Sequence, residues 1–347
     1  MDTVSAFTVQ SVILNGIPDP GVDGLRAQTD GRAMDVTFLG TAAFMSHMPA
    51  DIRAWEHVYL PVTTTPELHL PRKPLVNHMA DADFYGAALG QATTIVESTG
   101  FPCFNDPRAI SALRRDRLPD LLAGIAGVTV PRCFKIRPGS LEELAAAVRA
   151  NGLAYPVIAR LSATHGGKTQ TLVQDEAEWA RLNAIPWGGR ELYVTQFHDC
   201  LDPDGFYRKQ RVAIVGDRIL PRHGAGGRSW SVDAVEKLPD FLEEELAWPP
   251  AFERTVLPVV ESRVREILSR VKLDYFGIDY CLRPDGTMVI FEVSAAMSMT
   301  EQYVPETHRV IGQYTLNIRR ALADLLRKPH AWWATGQSGS TTTALWR

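Results

Sequence analysis

Asp279 and Glu292 stand in two apolar runs, residues 276–282 and 287–293, with RPDG between them. Proline and Asp-Gly are turn chemistry, so the unit reads as a β-hairpin. A loop of two or four residues would put both carboxylates on one sheet face, whereas an odd loop would separate them. On Glu292's face the second strand would otherwise carry Met288 and Ile290, so the charge is aimed where it needs a partner. A salt bridge is one solution. A hard cation such as Mg2+ is the other, because it takes oxygen ligands and leaves much of its shell to water and phosphate.

Three further segments could supply anion chemistry. In ATHGGK, Gly166 and Gly167 let the backbone approach a phosphate closely, with His165 before them and Lys168 alongside as a point charge; a plain hairpin turn is the alternative. In YVTQFHDCLD a strand runs into a polar linker. Its amides could read an adenine edge while Asp199 or Asp202 takes ribose hydroxyls, or it could be an ordinary crossover. In FYRKQRVAIVGDRILPRHGAGGRSW, cations gather at the ends of paired strands, and arginine suits bidentate binding of phosphate or carboxylate. Strand parity puts Lys209 and Arg211 on one face and Arg208 on the other, so only part of this cluster can point into one site. Trp230 could stack on a ligand or serve the core.

The elements that must position these groups are legible in outline. At 347 residues the chain can build two or three packed lobes. The first hundred residues alternate short β-like runs with helical stretches, which argues a small parallel α/β lobe. No glycine-rich dinucleotide fingerprint or P-loop follows its first strand. Ser140 with Glu143 predicts a capping box opening a helix that stops at Gly152. EAEWARLNAI reads as a short helix, a hairpin turns at Gly216-Asp217, residues 251–271 read as one long helix, and residues 307–328 read as a closing helix. The tail beyond looks flexible, with Trp332, Trp333 and Trp346 as anchors.

A formal charge of −4 provides no global basic field, so nucleic acid is not an expected partner. No run approaches the roughly 20 apolar residues of a spanning helix, and the N-terminus lacks a signal-peptide pattern, so no membrane association is expected and cytoplasm is the default. Cys103, Cys133, Cys200 and Cys281 are far apart in sequence with no CxxC, which suits reduced thiols.

The order of the pieces is specific: glycine loop between strands, linker strand, arginine hairpin, long helix, and a hairpin with Asp and Glu. From about Asn105 to Pro329 it resembles the ATP-grasp superfamily, and it is most similar to the ATP-grasp domains often fused to tetratricopeptide repeats, here without the repeats. The resemblance implies an α/β (α+β) ATP-grasp fold: an N-terminal pre-ATP-grasp lobe over 1–106, a small lobe with the glycine loop over 107–198, a C-terminal lobe with the metal hairpin over 199–330, and a tail over 331–347. Two lobes would hold ATP between antiparallel sheets. Residue by residue, Asp279 and Glu292 resemble the metal carboxylates. Ser294 stands where the family usually has an asparagine ligand, and Arg160 stands where many members carry an ATP-contacting lysine. Lys168 looks like a phosphate-covering residue, Arg211 matches the arginine that contacts phosphates or the acyl intermediate, and Gln196, Phe197 and His198 look like the adenine-facing backbone.

That resemblance implies an ATP- and Mg2+-dependent ligase joining a carboxylate to an amine through an acyl phosphate, on an amino acid or peptide. A kinase acting on a hydroxyl and a non-catalytic nucleotide-binding module are the alternatives. The partner would be a small-molecule or peptide substrate, and a homodimer is a fair expectation for a cytosolic enzyme.

Overall fold

The computed structural model describes residues 10–22, 25–29, 34–60, 72–164, 167, 169–232, 241–299 and 305–333. The chain opens with β1 (Val12–Gly16), the pair β2 (Leu25–Thr29) and β3 (Met34–Phe38), the short helix α1 (Ala50–Arg53), β4 (Glu56–Leu60), β5 (Leu75–Asn77), α2 (Gly86–Thr99) and β6 (Cys103–Phe104). Strands lie in the order β4-β1-β5-β6, all parallel. All five residues of β1 are buried, as a strand covered on both faces requires. Gly100 caps α2 at φ 65°, a left-handed conformation that costs glycine nothing. The expected parallel α/β lobe is present.

A linking stretch follows, with α3 (Pro107–Ala112), α4 (Leu118–Leu121) and β7 (Val128–Thr129). The Asp106 side chain caps α3 by accepting from the Arg108 amide at 2.8 Å. Next come β8 (Cys133–Ile136), α5 (Leu141–Ala150), β9 (Val157–Leu161), β10 (Thr171–Val173), a 3-10 helix over Glu176–Ala184 and β11 (Leu192–Gln196). They form an antiparallel sheet in the order β10-β9-β11-β8. Ser140 Oγ accepts from the Glu143 amide at 3.2 Å, and the Glu143 carboxylate reaches back to the Gly139 amide at 2.7 Å. Leu144 and Val148 of α5 pack with Trp179 and Leu182 on Val157, Ala159, Leu192 and Val194. That core takes alternate residues of β9 and β11 and leaves Ile158, Arg160, Tyr193 and Thr195 for the opposite face.

The third sheet is built from β12 (Tyr207–Val215), β13 (Arg218–Gly227), β14 (Tyr275–Leu282) and β15 (Met288–Ser294), backed by α6 (Leu242–Thr255), α7 (Leu257–Val271) and α8 (Pro305–Leu326). Its order is β13-β12-β14-β15-β7. The short β7 adds in parallel to β15, so the stretch before β8 contributes to this sheet and not to the one that follows it. The helix expected over 251–271 is two. α6 starts earlier and contains Pro249 and Pro250, and the chain restarts after Val256 with Pro258 in the first turn of α7, where a missing N–H costs nothing.

Asn105 fastens the first lobe to the third sheet. Its Nδ2 donates to the Tyr275 carbonyl at 2.9 Å, its Oδ1 accepts from the amides of Asp274 and Tyr275 at 2.9 Å each, and its own amide donates to Asp274 at 2.8 Å. Trp332 is fully buried against Phe104, while Trp346 lies outside the described residues. Among the described residues no helix is long and apolar enough to cross a membrane.

Candidate functional site

The opening hairpin reaches its geometry by a route that the parity rule did not anticipate. Leu282 pairs with Met288 across residues 283–287, an odd loop that would have set Asp279 opposite residue 291. A β-bulge corrects it: Tyr280 pairs with Ile290 and Asp279 with Glu292, so Phe291 is the extra residue. The two carboxylates therefore stand directly opposite on one face. The same bulge turns Met288 and Ile290 into the main core, away from the face that they would share with Glu292 in an unbroken strand.

The row continues. Arg211 pairs with Asp279 across β12 and β14, and His223 pairs with Arg211 across β13 and β12, next to a second bulge in which Arg222 is the extra residue. His223, Arg211, Asp279 and Glu292 thus run in register across four strands. Arg211 grips Asp279 through two nitrogens, with Nη2 at 2.6 Å, and Lys209 Nζ lies 3.8 Å away. Burial works against the guanidinium charge, but the adjacent Asp279 carboxylate raises the Arg211 pKa. Glu292 accepts from Arg115 Nη2 at 2.6 Å.

This row lines a cleft of about 650 Å³ between the second and third sheets, within the range of small-molecule sites. From the second sheet, Ile158, Arg160 and Thr195 face it. Arg160 is 6% exposed, its Nη2 donates to the Thr164 carbonyl, and burial followed by the charge of Arg115 lowers its pKa to about 10. The linker contributes Gln196, Phe197, His198 and Cys200. Trp230 meets Phe197 edge to face at 6.2 Å and closes one end. A small polar cavity lined by Asp81, Asp83, Arg114, Tyr193 and Thr164 adjoins the cleft through Arg115, Arg160, Glu292 and Ser294.

Of the predicted site residues, Arg160, Gly167, Gln196, Phe197, His198, Lys209, Arg211, Asp279, Glu292 and Ser294 line one cleft. His165, Gly166 and Lys168 lie outside the described residues. Asp199 and Asp202 do not line the cleft. Asp202 is bound by Arg208 at 2.7 Å, in a cluster with Asp204 and Glu244, and Asp199 accepts from the Leu201 amide. The ribose role expected for them has no geometric support, because the chain turns their carboxylates to Arg208 and to the turn at Leu201. The Gln196 and Phe197 amides donate to the Arg132 and Pro156 carbonyls at 2.8 and 3.1 Å, so neither is open for the adenine edge expected of them. Burial, then Arg283, lowers the His198 pKa, which favours the uncharged ring.

The sequence analysis missed Arg115, which comes from the stretch between α3 and α4; Arg222 and His223 end the cation-rich hairpin that it singled out, where His223, like His165, was a candidate base for the amine. Arg222 and His223 are buried, 2% and 4% exposed, and line the cleft. Their place beyond the Gly216-Asp217 turn was visible; the bulge at Arg222 that sets His223 opposite Arg211 was not.

Among the described residues no group of three or more His, Cys, Asp or Glu converges to hold a metal. Asp279, Glu292 and the Ser294 hydroxyl, which accepts from the Ala296 amide at 3.1 Å, form an all-oxygen donor set on one face. Such a set suits a hard cation that draws its remaining ligands from phosphate and water.

No protein-family model matches the chain, and no curated protein matches it. Solved structures do. D-alanine–D-alanine ligase from Bacillus anthracis, complexed with ATP, is 13% identical, covering 92% of this chain and 98% of its own, with a TM-score of 0.46. A RimK-domain ATP-grasp protein from Sphaerobacter thermophilus is 17% identical, covering 91% and 98%, with a TM-score of 0.45. The VanG D-Ala:D-Ser ligase from Enterococcus faecalis is 14% identical, covering 90% and 98%, with a TM-score of 0.46. The likeness is to the fold alone.

Proposed function

We propose that this chain is an ATP- and Mg2+-dependent carboxylate–amine ligase of the ATP-grasp kind, acting in the cytoplasm on an amino acid or peptide. The observation that carries it is the in-register row His223, Arg211, Asp279, Glu292 on the floor of a cleft whose opposite wall presents Arg160. Residues 1–106, 107–198 and 199–330 would be its pre-ATP-grasp, small and C-terminal lobes, with β7 crossing into the last. Anionic oxygens would enter between Arg160 and Arg211, with Lys209 beside them, and Lys168 would be the phosphate-covering residue. Mg2+ held by Asp279, Glu292 and Ser294 would neutralise charge on the phosphates.

The protein's own part is positioning and charge. Phosphoryl transfer asks for little covalent chemistry from the enzyme, and no nucleophilic side chain is needed. Arg211 would hold the oxygens of an acyl phosphate and then of its tetrahedral adduct with the amine, where a preorganised cation in a partly dry cleft acts most strongly. The His198 ring and the Phe197–Trp230 pair would flank the base. His223, paired with Arg211 in the row, could take the amine's proton.

Calorimetry with Mg-ATP on the wild type and on Glu292→Gln tests the nucleotide site. The expected result is Mg2+-assisted binding that weakens in the variant. A panel of carboxylates and amines should then give ADP and an amide together. A stable phosphorylated hydroxyl with no amine required would replace the ligase with a kinase, ATP bound without turnover would reduce the chain to a binding module, and no ATP binding would refute the site.

A further inference from the structure

Two cysteines meet beneath the joint between the lobes. Cys200 follows β11 in the linker that leads to β12, and Cys281 lies on β14, two residues beyond Asp279 and so on the same face. They belong to one buried cluster with Val289, covered by Tyr207 and Phe291, and are 8% and 3% exposed. Cys200 also lines the cleft. Arg283, whose guanidinium donates to the Asp199 carbonyl at 2.7 Å, sits next to the pair.

We propose that Cys200 and Cys281 form a reversible disulfide that tethers the interlobe linker to the floor of the cleft in response to a peroxide. The electrostatics order the roles. A hydrogen bond from the Cys281 thiol, then Arg283, lowers the Cys200 pKa against the opposing effect of burial. Cys200 is therefore the attacking thiolate. Its sulfur attacks one peroxide oxygen, the O–O bond breaks, and the departing hydroxide takes up the proton that Cys200 had released. The resulting sulfenic acid is attacked by the Cys281 sulfur; the S–S bond forms, the S–O bond breaks, and water leaves with the Cys281 proton. Two thiols are oxidised and one peroxide is reduced to two waters. Cys103 is fully enclosed in the first lobe, and burial pushes the Cys133 thiol up to about 11, so neither competes.

The consequence is mechanical. The linker is the chain's connection between the second and third sheets, and a bond from residue 200 to β14 restrains it whether or not the cleft binds a nucleotide. The proposal thus stands apart from the ligase reading. The test treats the whole protein with hydrogen peroxide, then counts thiols, maps disulfides by mass spectrometry without reduction, and follows amide hydrogen exchange over residues 197–206. Free thiols should fall from four to two per chain. The linked peptide should join Cys200 to Cys281, exchange in the linker should slow, and dithiothreitol should reverse all three. In Cys281→Ser a cyclic dione should trap sulfenic acid on Cys200, and if that variant does not fold, Cys200→Ser should leave all its remaining thiols reduced. A bridge through Cys103 or Cys133, Cys200 running on to sulfinate while Cys281 stays alkylatable in the wild type, or a mapped Cys200–Cys281 bridge with unchanged linker exchange would overturn the proposal.

Discussion

Asp279 holds Arg211 in the cleft, so a phosphate that uses Arg211 must compete with that carboxylate. Asp279→Asn keeps the shape of the side chain and removes the competitor. Arg211 loses a bidentate charged contact, with Nη2 at 2.6 Å, and Lys209 loses a carboxylate at 3.8 Å. A hydrogen bond to a charged group contributes about 1.5–3 kcal/mol. Relieved of that cost, metal-free ATP should bind the variant roughly 10- to 150-fold more tightly than the wild type. Mg2+ should add little to the affinity of the variant, because one of its oxygen donors has lost its charge. The folded state should also weaken, toward the lower end of about 3–5 kcal/mol, since Arg211 keeps 19% side-chain exposure and water can reach it. The assay is calorimetry with ATP in EDTA and again in Mg2+ for both proteins, with urea unfolding to show that the variant is folded at the titration temperature. Equal or weaker metal-free binding by the variant would refute the competition between Asp279 and phosphate for Arg211.

Asn105→Ala should cost about 3–5 kcal/mol in urea unfolding, because it strips three buried backbone groups of Asp274 and Tyr275 of their partners. Asn105→Gly should recover part of that loss, since Asn105 sits at φ 53°, and a loss below about 1 kcal/mol in the alanine variant would contradict the latch. Two buried groups should oppose each other in the pH profile. Burial raises Asp274 from 3.8 to about 6, so its contribution is fullest below pH 4 and is lost as pH rises through 6; burial lowers His78 from 6.5 to about 4, so its contribution is fullest above pH 6.5 and is lost as pH falls through 4. Each amounts to roughly 3 kcal/mol. Between pH 4.5 and 6.5, Asp274→Asn should therefore gain stability with rising pH and His78→Gln should lose it, measured as urea midpoints; identical slopes in both variants would remove these two groups as the cause.

The sequence by itself determined the order of most elements and the residue types that the cleft displays, though the helix expected over 251–271 is two. Periodicity is local, and so the parallel first lobe, the capped helix at Ser140, the turn at Gly216-Asp217 and the paired faces of Lys209 with Arg211 were legible from neighbours a few residues apart. The resemblance drawn from that order placed Asp279, Glu292, Arg211 and Arg160 in one site, and they do line one cleft. Parity failed at Phe291 and Arg222, because a single inserted residue flips every side chain beyond it and nothing local marks where a strand will bulge. Only the tertiary structure decided the partners. Arg115 reaches Glu292 over 177 positions, and Arg208 takes Asp202 away from the ribose role. Electrostatic attraction depends on distance in space, and the packing of the sheets sets those distances after the local pattern has chosen the strands.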